Sequence, residues 1–203
     1  MENVVNDLLT LASPSELKKK SANVNVILKS GIEFVMAQLQ KNKIDITFTE
    51  ERNNPVLMID TGRMKEVVIN LLLNAIQSIE GPGKIIIEAS TLKLKQNIRD
   101  FARIRNVEHD NSIYEIREIM LNEGSEILKI SISDTGQGIP SSHKDRIFAP
   151  FYTTKNNGTG LGLTFVQRVV NQHGGVLTVD SEEGIGSTFT ILLPLKDNEQ
   201  NKS

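Results

Sequence analysis

The order of helical and strand patterns predicts an α+β fold, a two-layer sandwich in which helices cover one face of a mixed, mostly antiparallel sheet. Three observations support this prediction. Residues 61–80 have the strongest helical periodicity of the chain, short strand-like runs precede and follow them, and the last third ends in two strand patterns around a glycine-containing turn. With 203 residues and 38% apolar content, the chain is long enough to bury one sizeable core.

Charge and composition exclude several classes of function. The 23 Lys and Arg residues nearly balance the 25 Asp and Glu residues, which leaves no electrostatic case for nucleic acid or an anionic membrane as the main partner. No run of about 18 apolar residues is present, and no signal peptide precedes the first helix. The absence of cysteine excludes disulfides and thiol chemistry and fits a cytoplasmic protein. His109, His143 and His173 lack the spacing of metal ligands.

The first 21 residues are expected to lie outside the compact domain. A helical stripe over residues 3–12 stops at Ser13-Pro14, and a linker continues through Lys20. The compact domain then begins near residue 22, with a helix over residues 24–41. Alternation over residues 44–48 and a short apolar run at 55–58 predict two strands.

The helix over residues 61–80 has two contrasting faces. Its apolar residues follow the i, i+3, i+4 pattern and predict one buried face, made of Met64, Val67, Val68, Leu71, Leu72, Ala75, Ile76 and Ile79. On the opposite face, Glu66, Asn70 and Asn74 recur every four residues. A solvated face is one interpretation, but asparagine is a mediocre helix former, which favours a functional row. Carboxamide oxygens are suitable ligands for Mg²⁺.

The region after this helix predicts two long strands separated by an insert. The turn at residues 81–83 leads into a strand at 84–90, and an alternating strand at 127–133 ends at Asp134. The insert, residues 93–126, is rich in charge and is expected to be a solvated excursion. Within it, a short helix is suggested by Ile113, Ile116, Ile119 and Met120.

The C-terminal part predicts a helix followed by a hairpin. The apolar stripe formed by Leu163, Val166, Val169 and Val170 ends at Gly174-Gly175, a helix stop. Strands at 176–180 and 188–193 then flank a turn that contains glycine, and residues 196–203 form a polar tail.

Two glycine-rich segments and an aromatic loop indicate a nucleotide pocket. They are Asp134-Thr-Gly-Gln-Gly-Ile-Pro140, Phe148-Ala-Pro-Phe-Tyr-Thr-Thr-Lys155 and Gly158-Thr-Gly-Leu-Gly162. Glycines let backbone N–H groups approach phosphate closely. The last segment also runs directly into a helix, whose N-terminus favours anions.

With Asn70-Leu-Leu-Leu-Asn74-Ala, these segments resemble the four sequence boxes of the ATP-binding domain of bacterial sensor histidine kinases, in the superfamily that also includes gyrase, Hsp90 and MutL. The match covers residues 22–195, and the aromatic box is similar to the nitrogen-regulation and sporulation branches. Residues 1–12 resemble the end of the second helix of the dimerisation hairpin, so that residues 1–21 are expected to be a remnant of that helix and a linker.

The resemblance and the chemistry of the side chains together assign the site. Asp134 is expected to accept a hydrogen bond from the amino group of adenine, which guanine lacks at that position. Asn70 and Asn74 are the expected Mg²⁺ ligands, and Gly136 and Gly138 permit close passage of the backbone under the base. The predicted nucleotide-binding residues are Asn70, Asn74, Asp134, Gly136, Gly138, Ile139, Phe148, Lys155, Gly158, Thr159, Gly160, Leu161 and Gly162.

Three residues are predicted to take part in catalysis: Glu66, Asn70 and Lys155. By the resemblance, gyrase-type ATPases carry a water-activating carboxylate at the position where this chain has Asn70. The lack of a carboxylate there favours phosphotransfer over hydrolysis. Lys155 is expected to reach the phosphates. Phe148 and Phe151 are expected either to anchor a mobile ATP lid between Pro140 and Gly158 or to pack in the core.

No histidine of the chain lies in the motif that presents the phosphoryl acceptor in sensor kinases. The resemblance therefore implies a catalytic fragment whose direct partner is the dimerisation and phosphoacceptor domain of a parent kinase, with a response regulator receiver domain as indirect partner. In isolation we expect a monomer. Two alternatives stay open: a hydrolytic ATPase or Ser/Thr kinase of the same superfamily, and a nucleotide-binding regulatory module without catalysis.

Overall fold

The computed structural model describes residues 17–105, 114–155 and 158–195. The secondary-structure elements, in chain order, are β1 (Lys20–Asn23), α1 (Val24–Asn42), β2 (Ile44–Thr49), β3 (Val56–Ile59), α2 (Thr61–Ser78), β4 (Gly83–Lys93), β5 (Ile98–Arg105), β6 (Tyr114–Leu121), β7 (Glu126–Asp134), α3 (Ser141–Lys144), α4 (Gly162–Gln172), β8 (Val176–Glu182) and β9 (Gly186–Pro194).

The central sheet has five strands in the order β2-β4-β7-β9-β8. Strand β2 runs parallel to β4, and every other neighbouring pair is antiparallel. Two further pairs, β1 with β3 and β5 with β6, form separate two-stranded antiparallel sheets. The predicted mixed, mostly antiparallel sheet is therefore confirmed.

Three helices cover one face of the central sheet. Alternate residues of β4 are buried against them, namely Ile85, Ile87 and Ala89, while Glu88 and Ser90 between and beyond them face solvent. The main core joins these residues to the apolar faces of α1, α2 and α4. A sheet with one covered face and one solvated face is the two-layer sandwich that the sequence predicts.

Helices α1 and α2 pack closely because residue 31 has no side chain. A Cβ atom at Gly31 would lie 2.5 Å from Cγ1 of Val68, so a larger residue would force the helices apart. Both helices are capped by side chains, as helix N-termini require. Asn23 Oδ1 accepts from the backbone N–H of Asn25 at 2.8 Å, and Asp60 Oδ1 accepts from that of Arg63 at 3.1 Å.

Strand β1 includes two residues that the sequence assigns to a linker. Residues 20 and 21, which the sequence assigns to a linker, pair with Ile59 and Met58 in the β1–β3 sheet. Four-residue strands with little apolar periodicity leave no clear signal in the sequence. The predicted helix over residues 3–12 lies outside the described residues.

The insert at 93–126 is a β-hairpin, and the prediction of a short helix there was wrong. Ile119 and Leu121 are two residues apart on one face of β6 and pack in a second small core with Leu94, Ile127, Val176 and Leu192. The spacing of three between Ile116 and Ile119 imitates helical periodicity, whereas the buried positions follow the period of a strand. The hairpin is also partly packed, not a wholly solvated excursion. Ile113 lies outside the described residues.

Among the helices of the described ranges, none combines the length and the apolar character that crossing a membrane would need.

We predict that Leu71→Ala lowers the free energy of unfolding by about 2–5 kcal/mol, because this side chain is only 1% exposed and its truncation leaves a cavity under the sheet. Urea denaturation followed by circular dichroism measures the change. Asn74→Ala, three residues further along α2 at a partly exposed polar position, is the control and should cost less than about 1 kcal/mol. Equal losses in the two variants would contradict the assignment of faces.

Candidate nucleotide-binding site

The polar face of α2 forms one wall of the candidate site. Asn70, Asn74, Gln77 and Ser78 follow one another along the second half of this helix. Val67, Leu71 and Ala75 hold its other face in the core. Packing therefore fixes the direction in which the polar side chains point, which is the condition for a preorganised site.

Asp134 lies at the base of the site, at the end of the central strand β7, and is 8% exposed. Its Oδ1 accepts two hydrogen bonds, from the hydroxyl of Ser78 at 2.9 Å and from the backbone N–H of Gly136 at 2.8 Å. Burial raises the pKa of the Asp134 carboxyl, opposed by hydrogen bonds from Gly136, Ser78 and Ser187 and by the charge of Lys155. The result is an oriented acceptor, as expected for recognition of an amino group.

Ser78 is a residue of the site that was not predicted from the sequence. The hydroxyl follows Asn74 by four residues, so extending the row of Glu66, Asn70 and Asn74 by one more turn would have found it. The hydroxyl also donates to the carbonyl of Ala75 at 2.8 Å, so its single proton is shared between the helix and Asp134.

The first glycine-rich turn is shaped by protein contacts. The space beside Gly136 is filled by the side chain and carbonyl of Ser78. Gly138 has φ +67° and lies against the backbone of Glu182 at the end of β8, where a side chain would collide. The neighbouring Ile139 donates its backbone N–H to Ser181 Oγ at 2.8 Å. The two glycines thus allow the chain that follows β7 to pack closely against Ser78 and Glu182. Their predicted role under a base stays a prediction.

Lys155 reaches across the site to the carboxamides of α2. Its Nζ donates to Gln77 Oε1 at 2.8 Å and to Asn74 Oδ1 at 3.3 Å. Burial lowers the pKa of the Lys155 ammonium, and the charge of Asp134 raises it. A positive group thus occupies the carboxamide row, which shows that these oxygens form a cation-accepting surface.

Asn70 and Glu66 face in different directions. The Asn70 side chain donates Nδ2–H to the carbonyl of Glu66 at 2.9 Å, and its Oδ1 lies toward Gly162, where a Cβ atom would be 3.0 Å away. The Glu66 carboxylate pairs with Arg63 at 3.3 Å and is half exposed. Asn70 therefore lies beside the second glycine-rich segment. The predicted catalytic role of Glu66 stays a prediction, and its observed contact is with Arg63.

The second glycine-rich segment leads into α4. Within the described residues, no side chain caps the start of this helix at Leu161. The Thr159 hydroxyl lies 3.4 Å from the backbone nitrogen of Leu161, and that of Thr164 donates to the carbonyl of Phe148 at 3.0 Å. The start of α4 therefore lies beside Asn70 and has no side-chain cap, and the predicted binding of phosphate there stays a prediction.

The two lid phenylalanines differ. Phe148 packs against the main core beside the buried Ile147, in agreement with the expectation of core packing, and its role as an anchor of the lid stays a prediction. Phe151 is 64% exposed with φ 64°, and its backbone N–H donates to the carbonyl of Gly160 at 3.0 Å. The expectation that the Phe151 side chain anchors the lid or fills the core was therefore wrong, since this side chain is exposed and only the backbone at this position makes a contact, with the second glycine-rich segment. The space beside Gly158 is filled by Thr153.

The first half of the lid is held by side-chain contacts around Tyr152. Its hydroxyl is hydrogen bonded to His143 Nδ1, and the Arg146 guanidinium lies 4.5 Å from the centre of its ring. Lys144 donates to the carbonyl of Ser181, which ties α3 to β8. Asn156 and Asn157, on which the expected mobility of the lid partly rests, lie outside the described residues.

The other titratable candidates lie elsewhere. His173 is 4% exposed, donates from Nδ1 to the carbonyl of Val169 and accepts from the backbone N–H of Asp60 at 2.9 Å. A shallow cleft beside it, lined by residues of β3 and by Pro194 and Leu195, shares no residue with the predicted site. In the described ranges, no group of three His, Cys, Asp or Glu side chains is arranged to hold a metal.

Comparison with known proteins identifies the class to which this arrangement belongs. The sequence profile of the histidine kinase-, DNA gyrase B- and HSP90-like ATPases matches residues 59–197, and the chain belongs to this family. Sensor histidine kinase ZraS of Escherichia coli strain K12 is 34% identical over 195 residues, which are 96% of this chain and 35% of ZraS. The chain thus spans about a third of the length of this relative.

A sporulation kinase and a solved histidine kinase domain are also similar to the chain. Sporulation kinase E of Bacillus subtilis strain 168 is 27% identical over 202 residues, covering 100% of this chain and 23% of that kinase. The solved catalytic domain of histidine kinase ThkA is 26% identical with a TM-score of 0.65, covering 88% of this chain and 96% of that domain. The resemblance to histidine kinase ATP-binding domains and the α+β sandwich are both confirmed, and ATP is the nucleotide that this family uses.

We predict that Asp134→Asn weakens adenosine binding at least about tenfold, because the amide oxygen stays with Ser78 and Gly136 and the amide N–H₂ then faces the amino group of adenine. Isothermal titration measures the affinity, with the exposed Asp180→Asn as matched control. The preference for adenine over guanine nucleotides should shrink in the same variant.

Adenosine affinity of the unsubstituted chain should also depend on pH. The pKa of the Asp134 carboxyl is raised by burial, so the carboxylate acceptor is present above this raised pKa and is lost as pH falls through it. Asp134→Asn removes the dependence. An identical pH profile in both proteins would show that Asp134 is not the acceptor.

Proposed function

We propose that this chain binds ATP with Mg²⁺ and donates the γ-phosphoryl group to a histidine on a dimerisation and phosphoacceptor domain of a parent kinase, as part of two-component signalling. The observation that carries the proposal is the cation-accepting carboxamide row of α2, which lies between the buried Asp134 and the start of α4. It offers, side by side, contacts for a base amino group, a metal ion and phosphates.

Asn70 and Asn74 are the residues that would hold Mg²⁺. The Lys155 ammonium on Asn74 Oδ1 is a stand-in for such a cation, and carboxamide oxygens are hard donors of the kind Mg²⁺ accepts. When bound, the metal would neutralise phosphate charge and hold phosphate oxygens in place. The protein's own part is positioning, since phosphoryl transfer needs orientation and charge stabilisation more than covalent chemistry.

The residues divide that work. Asp134 orients the base, and the first N–H groups of α4 meet phosphate charge. Lys155 supplies a positive side chain from the lid, within reach of the phosphate end of the site. The Phe148 anchor fixes the base of the lid. A carboxylate that would activate water is missing at Asn70, and Glu66 is paired with Arg63, which disfavours the hydrolytic alternative.

The acceptor histidine is proposed to lie on another domain. His143 is engaged with Tyr152 and His173 is buried, so neither is presented to a phosphate, and His109 lies outside the described residues. Histidine kinase ThkA, 24% identical with a TM-score of 0.67, has been solved in complex with the response regulator TrrA. By analogy, a response regulator receiver domain is proposed as the final recipient of the phosphoryl group.

We predict that Asn74→Ala abolishes Mg²⁺-dependent nucleotide binding, because its carboxamide is the proposed metal ligand, and leaves the fold intact. Calorimetric titration of ATP with and without Mg²⁺ measures the effect. Thermal unfolding of the same variant provides the control. An unfolded Asn74→Ala protein, or one whose Mg²⁺ dependence is unchanged, would contradict the metal assignment.

We predict that the chain alone incorporates no label from γ-labelled ATP and that a separately produced acceptor hairpin of the parent kinase becomes labelled when the two are mixed. The label should be acid-labile, as phosphohistidine is. Gel electrophoresis at neutral pH, with and without acid treatment, distinguishes the outcomes. Acid-stable label would favour the Ser/Thr kinase alternative, and stoichiometric acid-labile label on the chain by itself would show that the acceptor has been misplaced.

A further inference from the structure

The contacts of Lys155 assign a role to Gln77, a residue of α2 that no motif marks. The shorter of the two hydrogen bonds of the ammonium, 2.8 Å, goes to Gln77 Oε1, and the longer, 3.3 Å, goes to Asn74 Oδ1. Residues 74 and 77 are three apart, so both carboxamides stand on the same side of the helix. Together they form a two-point docking place for one cationic group.

This docking place overlaps the site that the proposed function gives to the metal. A divalent cation and an ammonium on the same Asn74 oxygen repel each other, so the two do not share it. Lys155 must therefore leave Asn74 before a nucleotide with its metal is fully bound. Gln77 opposes this departure because it holds the same ammonium by the shorter bond, and it has no part in the proposed metal site.

We propose that Gln77 is a positioning residue that holds the Lys155 ammonium on the carboxamide row in the nucleotide-free protein, an arrangement called here the parked state. Gln77 thereby weakens the binding of phosphate-bearing nucleotides. The inference rests on the proposed function, which supplies the metal and the phosphates. When the binding-competent arrangement is only a fraction of the population, the apparent affinity falls by that fraction. Removing the hydrogen bond between Lys155 and Gln77 should consequently tighten the binding of phosphate-bearing nucleotides.

The exposed position of Gln77 makes it possible to test its contact with Lys155 without disturbing the core. The residue is exposed, whereas its neighbours Ala75 and Ile76 are buried in the core. Methionine has nearly the same length and helix propensity as glutamine, so Gln77→Met removes the acceptor and keeps the helix. Gln38→Met, at an exposed position on α1, is the matched control.

The first measurement is the affinity for ATP with Mg²⁺ and for adenosine, by calorimetric titration of the whole chain. We expect Gln77→Met to bind ATP with Mg²⁺ about three- to tenfold more tightly, with adenosine affinity unchanged, and Gln38→Met to equal the unsubstituted chain. Lys155→Met should bind ATP with Mg²⁺ more weakly, because the same ammonium is then missing from the phosphates. Opposite signs at two residues in contact are not expected from a general loss of structure.

The second measurement uses no ligand. Trypsin must take the side chain of Lys155 into its specificity pocket to cleave after it, so a parked side chain is cut slowly. Cleavage after Lys155 should be several-fold faster in Gln77→Met than in the unsubstituted chain and in Gln38→Met, as followed by mass spectrometry. This rate reports the parked state whether or not a nucleotide binds.

The outcomes keep the two proposals apart. Unchanged or weaker binding of ATP with Mg²⁺ in Gln77→Met, or an unchanged cleavage rate after Lys155, would overturn the role of Gln77. Failure of the unsubstituted chain to bind either ATP or adenosine would instead overturn the proposed function. Tighter ATP binding together with faster cleavage supports the parked state.

Discussion

The core fixes the rotational orientation of helix α2, and the rest of the site depends on that orientation. Its apolar face is locked in the core by residues such as Leu71 and Leu72, so the helix has little freedom to rotate. Its opposite face presents Asn70, Asn74 and Gln77 in one line. The 3.6-residue period thus serves stability and chemistry at once, because any change that turned the helix would bury polar groups and withdraw the row.

Much of this arrangement could be predicted from the sequence, because it follows from the spacing of apolar and polar residues in helices and strands. The long helices, the strands of the central sheet and the C-terminal hairpin each repeat their own period over many residues. The carboxamide row follows from the same period, which is why Asn70 and Asn74 were found. Ser78 lies on the same line, and it was missed only because the row was not followed to the end of the helix.

Other features depend on contacts distant in sequence, which no local period reveals. Ile119 and Leu121 of β6 pack against Leu94 and Val176, and the charged composition of the insert obscured these two apolar positions in the sequence. The contact of Lys155 with α2 joins residues 78 and 81 positions apart. Phe148 packs against the core and Phe151 is exposed, and this difference is likewise decided by where the lid meets the core. Each of these features needed the folded chain.

Asp60 joins three separate parts of the fold through its hydrogen bonds. Its carboxylate accepts from the backbone N–H groups of Lys18 and Arg63, and its own N–H donates to His173 at the end of α4. One residue thus fastens together the entering chain, the first turn of α2 and the last turn of α4. Helix α4 is thereby joined through a single residue to the backbone at Lys18, more than 140 positions earlier in the sequence. A displacement of the C-terminal end of α4 would act directly on that backbone.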